Sequence, residues 1–102
     1  MKRVIFGTLI HLMCQLTFAE TIWLDVRSPG EYESDHLPGS IHIPYKQIKQ
    51  LASSKLPNKN SQINVYCVAG VRAGIAKSAL EDMGYENVVN VVSLNKAREL
   101  SK

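Results

Sequence analysis

One stretch, residues 63–83, constrains the fold of this chain more than any other. A short strand-forming run, Ile63-Asn64-Val65-Tyr66, passes straight into Cys67-Val68-Ala69-Gly70-Val71-Arg72, and a helical pattern follows over residues 73–83. The run predicts a buried central strand. The helix is expected to turn Ile75, Ala76, Ala79, Leu80 and Met83 inward, and Gly84 stands where a helix C-terminus takes a left-handed residue. A strand that leads through a tight loop into a helix is the building unit of a parallel sheet.

The alternation recurs along the chain. Residues 21–26 (TIWLDV) read as a buried strand ending at Asp25. Ser28-Pro29-Gly30 is a turn, or a helix cap followed by proline at the first helical position, and residues 31–35 make one or two helical turns. After the break at Leu37-Pro38-Gly39, residues 40–43 form a second short strand closed by Pro44, and Tyr45, Ile48 and Leu51 have helical spacing. Residues 56–62 are a polar connection, 88–92 a further strand and 94–100 a terminal helix. The expected fold class is α/β: one small domain, with a parallel sheet of four or five strands covered by helices on both faces. A length of 102 residues allows no second domain.

The first twenty residues read differently. Lys2 and Arg3 precede a run free of Lys, Arg, Asp and Glu over residues 4–19, which ends Thr17-Phe18-Ala19 before Glu20. A basic start, an apolar centre and small residues at −3 and −1 make the layout of a secretory signal peptide cleaved after Ala19. A retained membrane anchor is the competing reading. The run holds His11 and Gln15 and falls short of the roughly 20 apolar residues that span a bilayer. Cys14 follows His11-Leu12-Met13, not the small residues of a lipoprotein signal. The expected organisation is a signal peptide over 1–19 and a domain over 20–102, exported to the periplasm, with no stable membrane association after cleavage.

The formal charge of +3 is largely the leader's; with Lys2 and Arg3 set aside, ten basic side chains face nine acidic ones. No basic stripe remains to steer a polyanion, which argues against a nucleic-acid partner. The mature chain would keep a single cysteine, Cys67, and so no internal disulfide. An unpaired thiol in an oxidising compartment is either a buried inert residue or a working one.

Its neighbours favour work. A strand-to-helix loop in a parallel sheet lies at the carboxyl edge, where such sheets bind ligands. The N–H groups of Val68, Ala69, Gly70, Val71 and Ala73, together with the start of the helix, converge on a concavity suited to an anion. Cys67 opens the ring and Arg72 closes it with a permanent positive charge; Gly70 supplies backbone freedom. Helix N-termini and cations favour the thiolate, the form that acts as nucleophile. His36 and His42 are expected in structural or surface roles.

These residues resemble the rhodanese family. CVAGVRA is similar to its C-x-x-G-x-R active-site loop. Upstream, Asp25-Val26-Arg27 with Glu31-Tyr32, then residues 36–44 (HLPGSIHIP), are similar to its D-V-R, E-[FY] and H-[IL]-x-G signature. The resemblance implies a sulfurtransferase in which Cys67 takes the outer sulfur of thiosulfate as a persulfide and passes it to cyanide or another thiophile. It implies that the loop amides hold the charged sulfur, that Arg72 helps bind the donor, and that Asp25 and Arg27 brace the loop, a purely structural ion pair being an equal reading of these two. Glu31 and Tyr32 are expected on the helix surface and in helix packing. No metal or organic cofactor is implied. Two other functions compete: a non-enzymatic persulfide carrier or sensor, and a phosphatase, whose related loop is one residue longer. One departure stands out. Where the family carries a glycine pair after its last strand, this chain has Val91-Val92-Ser93-Leu94, so another path into the final helix is expected.

Overall fold

The computed structural model describes residues 20–102, so the expected leader over 1–19 lies outside the described residues. In chain order the elements are β1 (Thr21–Asp25), α1 (Pro29–Ser34), β2 (Ile41–His42), a 3-10 turn (Tyr45–Gln47) running into α2 (Ile48–Lys55), β3 (Gln62–Cys67), α3 (Val71–Asp82), β4 (Asn87–Ser93) and α4 (Leu94–Leu100). The four strands are all parallel, in the order β2-β1-β3-β4. β3 is central because it can be covered on both sides: every residue from Ile63 to Cys67 is buried.

Side chains alternate across the sheet and divide the core in two. Leu24, Ile63, Val65 and Val88 pack under α2 and α3 with Ile48, Ala52, Ala73, Ala76 and Leu80. On the opposite face Tyr66, Val91 and Leu37 pack with Ala97 of α4, flanked by Trp23 and Leu94. Helices thus cover both faces, as expected. Among the described residues no helix is long and apolar enough to cross a membrane.

Local chemistry explains the element ends. Ser28 caps α1 in a reciprocal capping box with Glu31, and Pro29 sits in the first turn, where its missing N–H costs nothing. Gly84 ends α3 at φ 98°, as its position suggested. α3 itself departs from expectation. It begins at Val71, two residues early, and Ile75 is 50% exposed rather than buried. At about 100° per residue, Ala73, Ala76 and Leu80 form the stripe that meets the sheet, and Ile75 falls off it. Two alanines in that stripe let the helix backbone lie close to β3, a preference for small residues that hydrophobicity alone does not reveal.

The strand register aligns the carboxyl edge. Asp25 stands beside Tyr66, and Cys67 beside Ser93. A β-bulge lies between: Val65 pairs with Asn90 but Tyr66 with Val92, which leaves Val91 as the extra residue. Val91 faces α4 and Val88, three residues earlier, faces α3, as alternation along a strand requires.

Candidate active site

Cys67 is the last residue of β3 and only 2% exposed. The chain then turns through Val68 and Ala69 to Gly70, which takes φ 95° and serves as N-cap of α3. This left-handed step folds the loop back over the sulfur. The Gly70 N–H donates to Cys67 Sγ at 3.1 Å and the Ala73 N–H at 3.3 Å. Val71 and Arg72 lie in the first helical turn, whose N–H groups have no partner within the helix. The sulfur therefore sits inside a cup of backbone donors, an arrangement suited to negative charge on sulfur. Of the other loop residues expected to form the ring, Val68 and Val71 are 57% and 72% exposed, and Ala73 turns its side chain into the core.

A cavity of about 170 Å³ opens over the sulfur, lined by Arg27, Cys67, Val68, Ser93, Leu94 and Asn95. Three of these residues come from the end of β4 and the start of α4. Sequence reasoning did not assign Ser93, Leu94 or Asn95 to the site; the strand register brings them there. The segment that lacks the family's glycine pair keeps a glycine-like conformation all the same. Val92 has φ 79°, rare for any residue but glycine and rarer for a β-branched one. Asn90 braces it: its Oδ1 accepts from the Val92 N–H and its Nδ2 donates to the Gly70 carbonyl, both at 2.9 Å. Asn90 thus ties the β4 bulge to the Cys67 loop. The available signal was a polar residue inside an otherwise apolar strand.

Asp25 and Arg27 form a buried pair. The Arg27 Nη2 and Nε atoms donate to the Asp25 carboxylate at 2.7 to 3.1 Å, the Arg27 backbone N–H adds a bond at 2.9 Å, and Nη2 also donates to the Asp35 carbonyl at 2.6 Å. The hydrogen bonds to Asp25 raise the Arg27 guanidinium above its ordinary range against the opposing effect of burial, so it stays charged. Arg27 is more than a brace: it lines the cavity over Cys67 and also a second one of about 300 Å³.

Arg72, expected to bind the donor anion, lines the second cavity with Ser28, Pro29, Tyr45 and Lys46, and not the one over the sulfur. Its fork is engaged. Nη1 and Nη2 donate to the two Glu31 carboxylate oxygens at 2.8 and 3.2 Å, across 41 positions of sequence. The hydrogen bonds from Arg72, then from the Ser28 backbone, hold the Glu31 carboxyl at about 2. Glu31 is therefore more than helix surface. Tyr32 packs as expected, stacked between His36 at 3.8 Å and His42 at 4.4 Å. The two histidines bind the Tyr32 and Arg27 carbonyls, at 2.7 and 2.8 Å respectively. Among the described residues no three of His, Cys, Asp and Glu gather as metal ligands.

The sequence model of the family described as "Rhodanese-like domain" matches residues 12–93. The chain belongs to the rhodanese family. The match begins inside the segment expected to be a leader. Among curated proteins this rhodanese is 43% identical to the thiosulfate sulfurtransferase PspE of Escherichia coli over 77 residues, 76% of this chain and 74% of that one. It is 32% identical to the thiosulfate:glutathione sulfurtransferase of Saccharomyces cerevisiae, of which it spans 55%, over 65% of its own length. Among solved structures, one described as "rhodanese with anions from E. coli" superposes with a TM-score of 0.70 at 41% identity, over 74% of this chain and 89% of that one.

Proposed function

We propose that this rhodanese is a thiosulfate sulfurtransferase that carries sulfur as a persulfide on Cys67. The observation that supports this most is the cup: one thiol at the floor of a cavity, with two backbone N–H groups on its sulfur and a permanently charged guanidinium in the cavity wall. The Cys67 thiolate attacks the outer sulfur of thiosulfate, the S–S bond of the donor breaks, and sulfite leaves with the bonding pair. The dianionic donor and the thiolate become a persulfide anion and a sulfite dianion, so charge balances. An acceptor nucleophile, cyanide or another thiophile, then takes the outer sulfur and restores the thiolate. The N–H groups of the loop and first helical turn hold the negative charge in each state, and Arg27 and Arg72 draw the anion to the loop.

Intact mass after exposure to thiosulfate tests the reading. A gain of one sulfur atom, lost again on adding cyanide with multiple turnovers, is expected. A mass gain without turnover would favour a carrier or sensor. Hydrolysis of an aryl phosphate at a rate matching sulfur transfer would favour a phosphatase. The four residues between Cys67 and Arg72 argue against that, because a tetrahedral phosphoryl group needs a wider ring of donors.

The basic start and apolar run before Glu20 support export to the periplasm with cleavage after Ala19. N-terminal sequencing of the exported protein should begin at Glu20; a mature chain that starts at Met1 would overturn this.

A further inference from the structure

We propose that Asn90 is a positioning residue, which acts through Gly70 to keep the backbone donors of the loop on the Cys67 sulfur. Its part in sulfur transfer rests on the reading above; its hold on the loop does not. Asn90 and Val88 stand two apart in β4, so alternation puts both on the α3 side of the sheet. There the half-buried Asn90 amide meets the start of α3. Its Nδ2 donates to the Gly70 carbonyl at 2.9 Å and lies 3.6 Å from where a Cβ on Gly74 would stand. The Gly74 N–H donates to the same carbonyl, also at 2.9 Å. Gly70 is therefore held at both ends, its carbonyl by two donors and its N–H against Cys67 Sγ at 3.1 Å. That hold matters because the peptide planes beside a glycine swing more freely than any others, and Gly70 stands at φ 95°. Fixing its carbonyl fixes the planar Gly70–Val71 peptide and the first turn of α3, which carries the second donor to sulfur, the Ala73 N–H at 3.3 Å. The other end of the amide, Oδ1, accepts from the N–H of Val92 and supports its positive φ. The two partners fix the amide's orientation: reversed, its oxygen would face a carbonyl and its NH2 an N–H. Asn90 thus does two separable things, bracing the bulge through Oδ1 and anchoring the sulfur's donors through Nδ2.

The test separates these two roles by making Asn90→Ala in two backgrounds of the full chain, wild type and Val92→Gly. Glycine takes a positive φ at ease, so in the second background the bulge no longer needs Oδ1, whereas the Gly70 carbonyl still needs Nδ2. Two quantities are read: the thermal midpoint, and the rate at which iodoacetamide alkylates Cys67, followed across pH on the Cys67 peptide by mass spectrometry. Asn90→Ala should lower the thermal midpoint in wild type and lower it less in the Val92→Gly background. On the acid limb of the rate–pH curve, where the thiolate is the minor form, it should slow alkylation about fivefold in both backgrounds. On the alkaline plateau, where every thiol is ionised, the rate should not fall. The kcat/KM for thiosulfate should drop by a similar factor. Equal changes on both limbs, no change on the acid limb, or a defect that disappears in the Val92→Gly background would reduce Asn90 to a brace of the bulge and overturn the proposal. Alkylation needs no sulfur donor, so the sulfurtransfer reading is tested apart. If wild-type protein gains no sulfur from thiosulfate yet shows the expected alkylation pattern, that reading falls and Asn90 still positions the donors on the thiolate.

Discussion

Arg27 and Arg72 line one cavity near the Cys67 loop, each bound to a carboxylate, and the two pairs differ in depth. Asp25 is fully buried and its partner nearly so, and the two residues are neighbours but one in sequence. Arg72 and Glu31 lie at the rim, and join elements 41 positions apart. The same chemistry has different consequences in the two places. A buried pair contributes little net stability while intact, but loss of one partner leaves an uncompensated charge out of water. A rim pair is screened, contributes little to stability either way, and remains open to competition from an incoming anion. The inner arginine is a fixed part of the fold and the outer one an adjustable part of the site.

That contrast can be tested against the Cys67 thiol. Cys67→Ser should abolish sulfur transfer and leave the fold intact, since a hydroxyl cannot hold a persulfide and a small polar exchange at the strand end costs little. Retained turnover would detach both arginine pairs from the chemistry. Asp25→Ala should then show the inner pair as structural, with a loss of about 3–5 kcal/mol in urea denaturation as Arg27 is left buried and unmatched. A loss below about 1 kcal/mol would place this pair on the same footing as the rim pair.

Arg72→Ala should show the reverse pattern. A charge-assisted hydrogen bond of about 1.5–3 kcal/mol corresponds to a ten- to hundredfold fall in kcat/KM for thiosulfate, with the denaturation midpoint nearly unchanged. Wild-type kinetics in this variant would make the rim pair structural after all. The smallest effect concerns pH. The Glu31 carboxyl is held at about 2 against an ordinary 4.5, so its contribution to stability is present above pH 4.5 and is lost as pH falls toward 2. With more than a third of the Glu31 side chain exposed, screening keeps that contribution under about 1 kcal/mol. The stability difference between wild type and Glu31→Gln should therefore be measurable at neutral pH and vanish near pH 2; a constant difference would mean that Glu31 acts through shape alone.

Reading the chain in order was enough to recover its local features. The alternation of strands and helices, the Ser28 cap with proline behind it, the left-handed Gly84 and the span of α4 from Leu94 to Leu100 follow from side-chain period and turn chemistry, which act over a few residues. The Cys67 loop was legible for the same reason: nucleophile, glycine and helix start are contiguous. Where folding brings distant segments together, the sequence was silent or misleading. Ile75 points outward because the approach of α3 to β3 selects its alanines. Asn90 reaches the Gly70 carbonyl, and Val92 keeps φ 79° where glycine would be at ease, because the register of β4 against β3 sets both. Arg27 forms the expected pair with Asp25 and in addition lines the cavity over the sulfur, whereas Arg72, expected to help bind the donor, is held by Glu31. Composition and spacing reveal which charges a chain owns. Their pairing depends on which strand ends the parallel register sets side by side, and that is decided only when the sheet closes around its core.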